Sequence, residues 1–477
     1  MHILLFIFYS LLCGYGIVKI PFVRKSGITP VLLLGLFALH VVTGCLHNVI
    51  AWRYYPEHGD IWESFQLSIS DRHLLTSQFH QLLADNSRWT YFSHNGIKFV
   101  LIILNFFSFD NLYIDTLLFA FPVFLGNIAL YRMFRRRFPA DPLTAVIVFL
   151  LPSTLFWTSC IHREGVLYMS LGFLFYWLDR IFTPAPMPPG PAALPPAPPA
   201  PAAAAPSSPP AAPGPSSPAG TDILIPPGPA SRNLRPILFA TLFFLLIIYF
   251  RPVIAALLVP ALLAWWLTER PLPRRKALLL AGACTGIGVI LLSVPHLSAW
   301  PVNLLSHQQS EFRDLEGHSR LYLPELDGSW NSLWHALPAA ALNGLFEPLP
   351  GSGGQKIYLA FSVELILIWT VALAALVSRL FSSPTSHRLP GASTHPRTPP
   401  PGTLSFSRCC LLFSLSGMLL VGAIVPFAGA IVRYRSLYLP FLLAPCLHSL
   451  VHWPPLRRLN QRLAAWLPDP SLYHRIG

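Results

Sequence analysis

Along this chain the apolar residues come in long unbroken runs, separated by short polar breaks rich in arginine. They do not alternate, so the pattern is not that of half-buried strands. Several runs reach the roughly 20 residues a helix needs to cross about 30 Å of hydrocarbon. Met1–Gly16 and Pro30–Trp52 read as the first two spans. A polar outer segment follows over Arg53–Asn95, where Leu75, Phe79, Leu82 and Leu83 share one helical face and predict a surface helix. Gly96–Phe109 is short and is expected to be re-entrant or interfacial, and Asn111–Met133 is a full span. Pro142–Cys160 and Gly165–Ile181 form a pair joined by a turn at Ile161–Glu164.

Further spans are expected at Pro236–Phe250, Val253–Leu267, Ala277–Val294, Ile357–Leu380, Cys409–Ala430 and Leu437–Val451. A second large outer segment, Pro295–Gln355, carries Trp330, Leu333, Trp334 and Leu337 at helical spacing, which predicts an interfacial helix over Trp330–Phe346. The expected fold is therefore all-α: a polytopic transmembrane bundle of about eleven spans with interfacial helices in its outer loops.

The chain divides into a membrane module over 1–182 with its acidic outer loop at 53–95, and a second module over 234–381 with its outer loop at 295–355. A Pro- and Ala-rich linker at 183–233 separates them, because such a composition buries too little apolar surface to fold. A second linker at 382–407 precedes the C-terminal spans at 408–452 and a tail at 453–477.

Composition supports the membrane reading. Hydrophobic residues make up 53% of the 477 and charged residues only 11%, about half the share of a soluble domain. The net charge of +13 comes from basic residues at span ends, as the positive-inside rule requires, so no nucleic-acid partner is expected. Lys19, Arg24 and Lys25 place the first turn on the cytoplasmic side, which puts the amino terminus and the loop at 53–95 outside. The seven cysteines form no Cys-x-x-Cys pair. Neither a disulfide framework, a zinc site nor any other cofactor is expected from them.

Against this background two features carry chemistry. Glu57, Asp60 and Glu63 are spaced three apart, and on a helix they share one face. A carboxylate at the edge of a pocket suits a general base. Asp60, after the flexible Gly59, is the first candidate and Glu63 the second. The other feature is a set of arginines at outer turns, where the charge rule disfavours them: Arg163, Arg251, Arg433 and Arg435. The planar arginine fork suits phosphate. His162 and Glu164 share the turn with Arg163, and Glu364 is a charge within a span, where it is functional or paired by default. His40 and Asn48 are expected to form helix–helix hydrogen bonds.

An acidic first outer loop, surface helices and outward arginines together resemble the GT-C class of polyprenyl-phosphate-sugar-dependent glycosyltransferases. The stretches Phe156–Gly165 and Gly429–Arg435 also resemble segments of uncharacterised bacterial multi-span proteins of that kind. Here the acidic loop follows the second span, whereas family members carry it after the first. The resemblance implies a bacterial inner-membrane enzyme with an outward active face. It would take a sugar from a polyprenyl-phosphate carrier and pass it to a glycan or lipid acceptor, with Asp60 as base and Arg251, Arg433 and Arg435 at the lipid phosphate. The alternatives are a lipid-linked oligosaccharide polymerase, a flippase or transporter for envelope polysaccharide, and a non-catalytic assembly subunit.

Overall fold

The computed structural model describes residues 1–54, 59–77, 96–138, 143–182, 231–269, 295–315, 319–350, 356–381, 403–450 and scattered positions from 453 to 463. Glu57, the surface-helix positions Phe79, Leu82 and Leu83, most of both linkers, and the expected span at 277–294 lie outside them.

The described residues are helical, with a single isolated bridge, Arg320 to Phe427, in place of any strand. In chain order the helices are α1 (His2–Lys19), α2 (Pro21–Arg24), α3 (Pro30–Tyr54), α4 (Gly59–Ser77), α5 (Gly96–Ser108) and α6 (Leu112–Arg137). Next come α7 (Leu143–Phe149), α8 (Pro152–Ser159), α9 (Arg163–Phe182), α10 (Ser231–Phe250) and α11 (Pro252–Glu269). The last group is α12 (Pro295–Arg313), α13 (Trp330–Phe346), α14 (Lys356–Phe381), α15 (Thr403–Ile424), α16 (Ala428–Arg435) and α17 (Leu439–Ser449).

Among the described residues six helices are long and apolar enough to cross a membrane: α1, α3, α6, α11, α14 and α15. The expected eleven also include 277–294, which lies outside the described residues, the runs of α10 and α17, whose apolar parts are shorter, and two runs that the sequence itself breaks or charges. Pro152 splits the run at 142–160 into α7 and α8, since proline cannot continue a helix through its missing N–H. The 13 residues of α5, expected to be re-entrant or interfacial and not counted among the eleven, reach only about 20 Å at 1.5 Å per residue. The 20 residues of α9 open on Arg163–Glu164 and close on Asp179–Arg180.

Local signals fix the helix ends. Asn111 caps α6, its side chain accepting from the backbone N–H groups of Tyr113 and Ile114. Ser329 caps α13 at Ser332. The break between α10 and α11 falls at Arg251–Pro252, where proline takes the first helical position.

Packing centres on α6 and α9, which lie against each other, with α10 on the other side of α9. A second group joins α11, α13 and α17 to α15. The core between them is aromatic, with Phe134, Phe175, Phe406, Phe413 and Phe441 all fully buried. The outside is apolar too: Leu4, Val31, Leu238, Leu367 and Leu380 are each more than half exposed. Apolar surface on this scale suits lipid rather than water, as do the six helices with the length and composition of membrane spans.

The polar groups collect at two opposite ends of the bundle. At one end lie the C-terminal part of α3 and the starts of α4, α6 and α9. Asn48 of α3 donates to Thr116 Oγ1 of α6 at 2.8 Å, the helix–helix bond expected of it. His40 instead sits against the Phe124 ring. At the other end lie the C-termini of α6, α9 and α11 with the start of α15.

Candidate functional site

The first end is built on α4, α8, α9, α16 and the α10–α11 break. The four helices are pinned by specific bonds. Trp62 of α4 donates its indole N–H to Asn48 O at 3.0 Å, which holds α4 across the end of α3. The turn from α8 to α9 is tight, with His162 N–H on Cys160 O at 2.8 Å and Gly165 N–H on His162 O at 3.1 Å. Thr154 of α8 donates to Ser436 O, just past α16, at 2.9 Å. The start of α16 is held by the 319–327 segment, through Leu321 N–H on Pro426 O and Ala428 N–H on Ser319 O.

These elements enclose a cavity of about 210 Å³, lined by Asp60, His162, Arg163, Arg251, Arg433 and Tyr434 together with Ser64 and three isoleucines. Five of the nine candidates from the sequence therefore meet around one space. Arg433 is the hub. Its Nε donates to Glu164 Oε2 at 2.9 Å, and its Nη1 lies 3.5 Å from Asp60 Oδ2. Its guanidinium also faces the Trp157 and Tyr434 rings. Glu164 is wholly buried in the first turn of α9, where the helix dipole favours a negative charge. Asp60 stands in the first turn of α4 with its carboxylate 82% exposed. Arg251 stacks on the Tyr434 ring at 4.8 Å.

The remaining candidates stand elsewhere. Glu63 is exposed on α4 and does not line the cavity. Arg435 points away from Arg433, because residues two apart on a helix diverge and α16 is helical through this pair. Its guanidinium bonds Gly344 O and Glu347 O at the end of α13. Glu364 of α14 is a capping group: both carboxylate oxygens accept from Ser153 N–H at 3.1 Å, and one also accepts from Ser153 Oγ at 3.0 Å. It thereby closes the N-terminus of α8, for which no residue of α8's own supplies a cap. Both residues are structural neighbours of the cavity and not part of its wall.

Burial, with Arg433, His47 and Arg163 close by, holds the His162 imidazole well below its usual range. It is neutral at physiological pH and offers a free ring nitrogen.

Two further features were not expected from the sequence. A smaller cavity of about 80 Å³ lies beside the first and adds His47, Ala51 and Trp157 to Asp60, His162 and Arg433. His47 lies in the same apolar run as His40 and Asn48, and that position in a span is the signal that could have marked it. On the other side, an apolar groove shares Arg251 and Tyr434 with the main cavity and continues along Val253, Ile254, Phe312, Leu420, Ile424 and Leu437. It draws on α11, α12 and α15, so no local pattern reveals it.

No protein-family model, curated protein or solved structure matches this chain.

Proposed function

We propose that the chain is a membrane glycosyltransferase that moves a sugar from a lipid-phosphate carrier to an acceptor at the outer face of the membrane. The observation that carries this reading is the junction at Arg251 and Tyr434, where a polar cavity rich in arginine runs into an apolar groove. A lipid phosphate has the same two-part chemistry. Its charged head matches Arg163 and Arg251, and its hydrocarbon matches the groove.

In this reading Asp60 takes the proton of an acceptor hydroxyl. The freed oxygen attacks the anomeric carbon from the side opposite the phosphate. The bond from that carbon to the phosphate oxygen breaks, and the electron pair leaves with the phosphate. Arg163 and Arg251 stabilise the developing charge there. Arg433 orients Asp60 and is itself fixed by Glu164. Glu63, Arg435 and Glu364 have no chemical step in this scheme.

The test is sugar transfer by the purified protein in liposomes, from a polyprenyl-phosphate-linked donor. Asp60→Asn should lower transfer by about 10²–10⁴-fold, and Arg251→Ala should raise the donor concentration needed. Full activity in Asp60→Ala removes Asp60 from the mechanism. Movement of the donor across the bilayer with no bond broken replaces the transferase reading with a transporter.

A further inference from the structure

Beside the arginine cavity lies a cluster for which the transferase scheme has no use. His47 of α3, Cys160 at the end of α8 and His162 in the following turn each offer one ligand atom, and the three atoms lie within 4.8 Å of one another. At a tetrahedral ion bound through nitrogen and sulfur, ligand atoms sit about 3.5 Å apart. Small side-chain rotations would close the set.

All three side chains are more than nine-tenths buried. His47 Nδ1 has no hydrogen-bond partner. Leaving such a nitrogen dry and unpaired costs about 1–3 kcal/mol, so its placement calls for an occupant. Cys160 makes only a long contact to Trp157 O at 3.4 Å. The cavity of about 80 Å³ on which His47 and His162 open is roomy enough for one bound water beside an ion.

We propose that His47, Cys160 and His162 bind one thiophilic transition-metal ion, zinc(II) or copper(I), with a fourth position open to the cavity beside Asp60. The donor set decides the class. Two imidazoles and a thiolate are soft-to-borderline ligands, and magnesium and calcium require oxygen donors. Charge points the same way. Arg433 is close, but Glu164 and Asp60 offset its charge. The thiolate supplies one further negative charge to the ion. On binding, the Cys160 thiol releases its proton to solvent, sulfur donates its pair to the metal, and both histidines enter as neutral ligands. Asp60 then faces the metal's open position, where a bound water or an anionic oxygen would sit. The sequence hides this site because only Cys160 and His162 are close in the chain, and His47 comes from a distant helix.

The inference stands apart from the transferase reading, and its test is metal binding alone. The full chain is purified in detergent, stripped with chelator, and titrated separately with zinc(II), copper(I) and cobalt(II). One equivalent of zinc or copper should bind. Cobalt should give a thiolate-to-metal charge-transfer band in the near ultraviolet. Cys160→Ser should abolish that band, and His47→Gln should weaken binding by more than the roughly 10–100-fold that outer-shell changes cost. Cys45→Ser, at a half-buried cysteine outside the cluster, should change neither. The cobalt spectrum of the unaltered chain does not depend on any variant folding. If that spectrum lacks the thiolate band and neither zinc nor copper binds, the site is refuted. Binding retained in Cys160→Ser refutes it as well.

Discussion

A buried carboxylate needs a cation or hydrogen-bond donors to offset its lost hydration, and Glu164 is wholly buried with Arg433 as its 2.9 Å partner. Truncating one member of such a pair costs about 3–5 kcal/mol, because the other is left charged and dry. Arg433→Ala is therefore expected to destabilise the protein by about that amount, as well as to slow transfer. Arg433→Ala combined with Glu164→Gln should restore part of the stability but none of the activity, as read from unfolding in detergent alongside the transfer assay. His162 gives a second prediction, on pH. Its folded form resists protonation through burial and the nearby Arg433, His47 and Arg163. The unfolded imidazole takes up a proton near 6.5. Stability from this residue is thus complete above that pH and falls as pH drops below it, by about 1.4 kcal/mol per unit. In His162→Gln the same acid titration of unfolding should be flatter by that slope. His162, Arg163, Arg251 and Arg433 were each legible in the sequence, because a charge or a histidine at a short turn between apolar runs is unusual, and Asp60 stood out as a spaced carboxylate after Gly59 in the acidic loop. His47 was not: inside a span, a histidine that packs and one that binds look alike until its neighbours are known.

The helices themselves were the most legible level. Apolar runs and prolines set the bounds of α3, α11 and α14 to within a few residues, and α13 begins and ends where its spaced Trp and Leu positions placed it. What one dimension could not give is which helices touch. The crossing of α13 and α15 depends on two glycines: a Cβ at Gly344 would strike Met418 O, and one at Gly422 would strike Ala340 O. Both contacts are with backbone, which cannot turn aside as a side chain can. Gly422→Ala is expected to cost about 1–3 kcal/mol through forced separation of the two helices, measurable as a lower unfolding midpoint in detergent. The cap on α8 has the same character. Glu364 belongs to another helix, 211 positions from Ser153, so sequence reasoning could mark it only as a charge in need of a partner. Removing a cap costs about 0.5–2 kcal/mol. Glu364→Ala should show that loss together with weaker metal binding at Cys160 and His162, which follow directly from the C-terminal end of α8. A stability loss with metal affinity unchanged would mean that α8 keeps its position without the cap.

Across the described residues, the ion pairs of Arg433 and of Arg137 lie at opposite ends of α9, through Glu164 and Asp179. At the end away from the cavity, Arg137 of α6 pairs with Asp179 of α9 and with Glu269 of α11, the latter at 2.6 Å, while Arg136 reaches Asp179 at 3.0 Å. Ser405 of α15 adds a hydrogen bond to Glu269, and Trp265 donates to the same oxygen. The cation and both anions are nearly fully buried, and with Ser405 they tie four helices together. Charge rules read these arginines as marking one side of a membrane, which accounts for Arg136 but not for the depth of Arg137. Its partners come from distant parts of the chain, so its pairing could not be foreseen. If this end is a clamp and the other a site, their energetics should separate. Asp179→Asn is expected to destabilise by about 3–5 kcal/mol and leave metal affinity at the far end unchanged. Combined with Arg433→Ala, its cost should add to within about 0.3–0.5 kcal/mol, as expected for positions that share no partner. A coupling well beyond that would mean that α9, which carries Glu164 at one end and Asp179 at the other, transmits strain along its length. The bundle would then respond as one lever between its two polar ends.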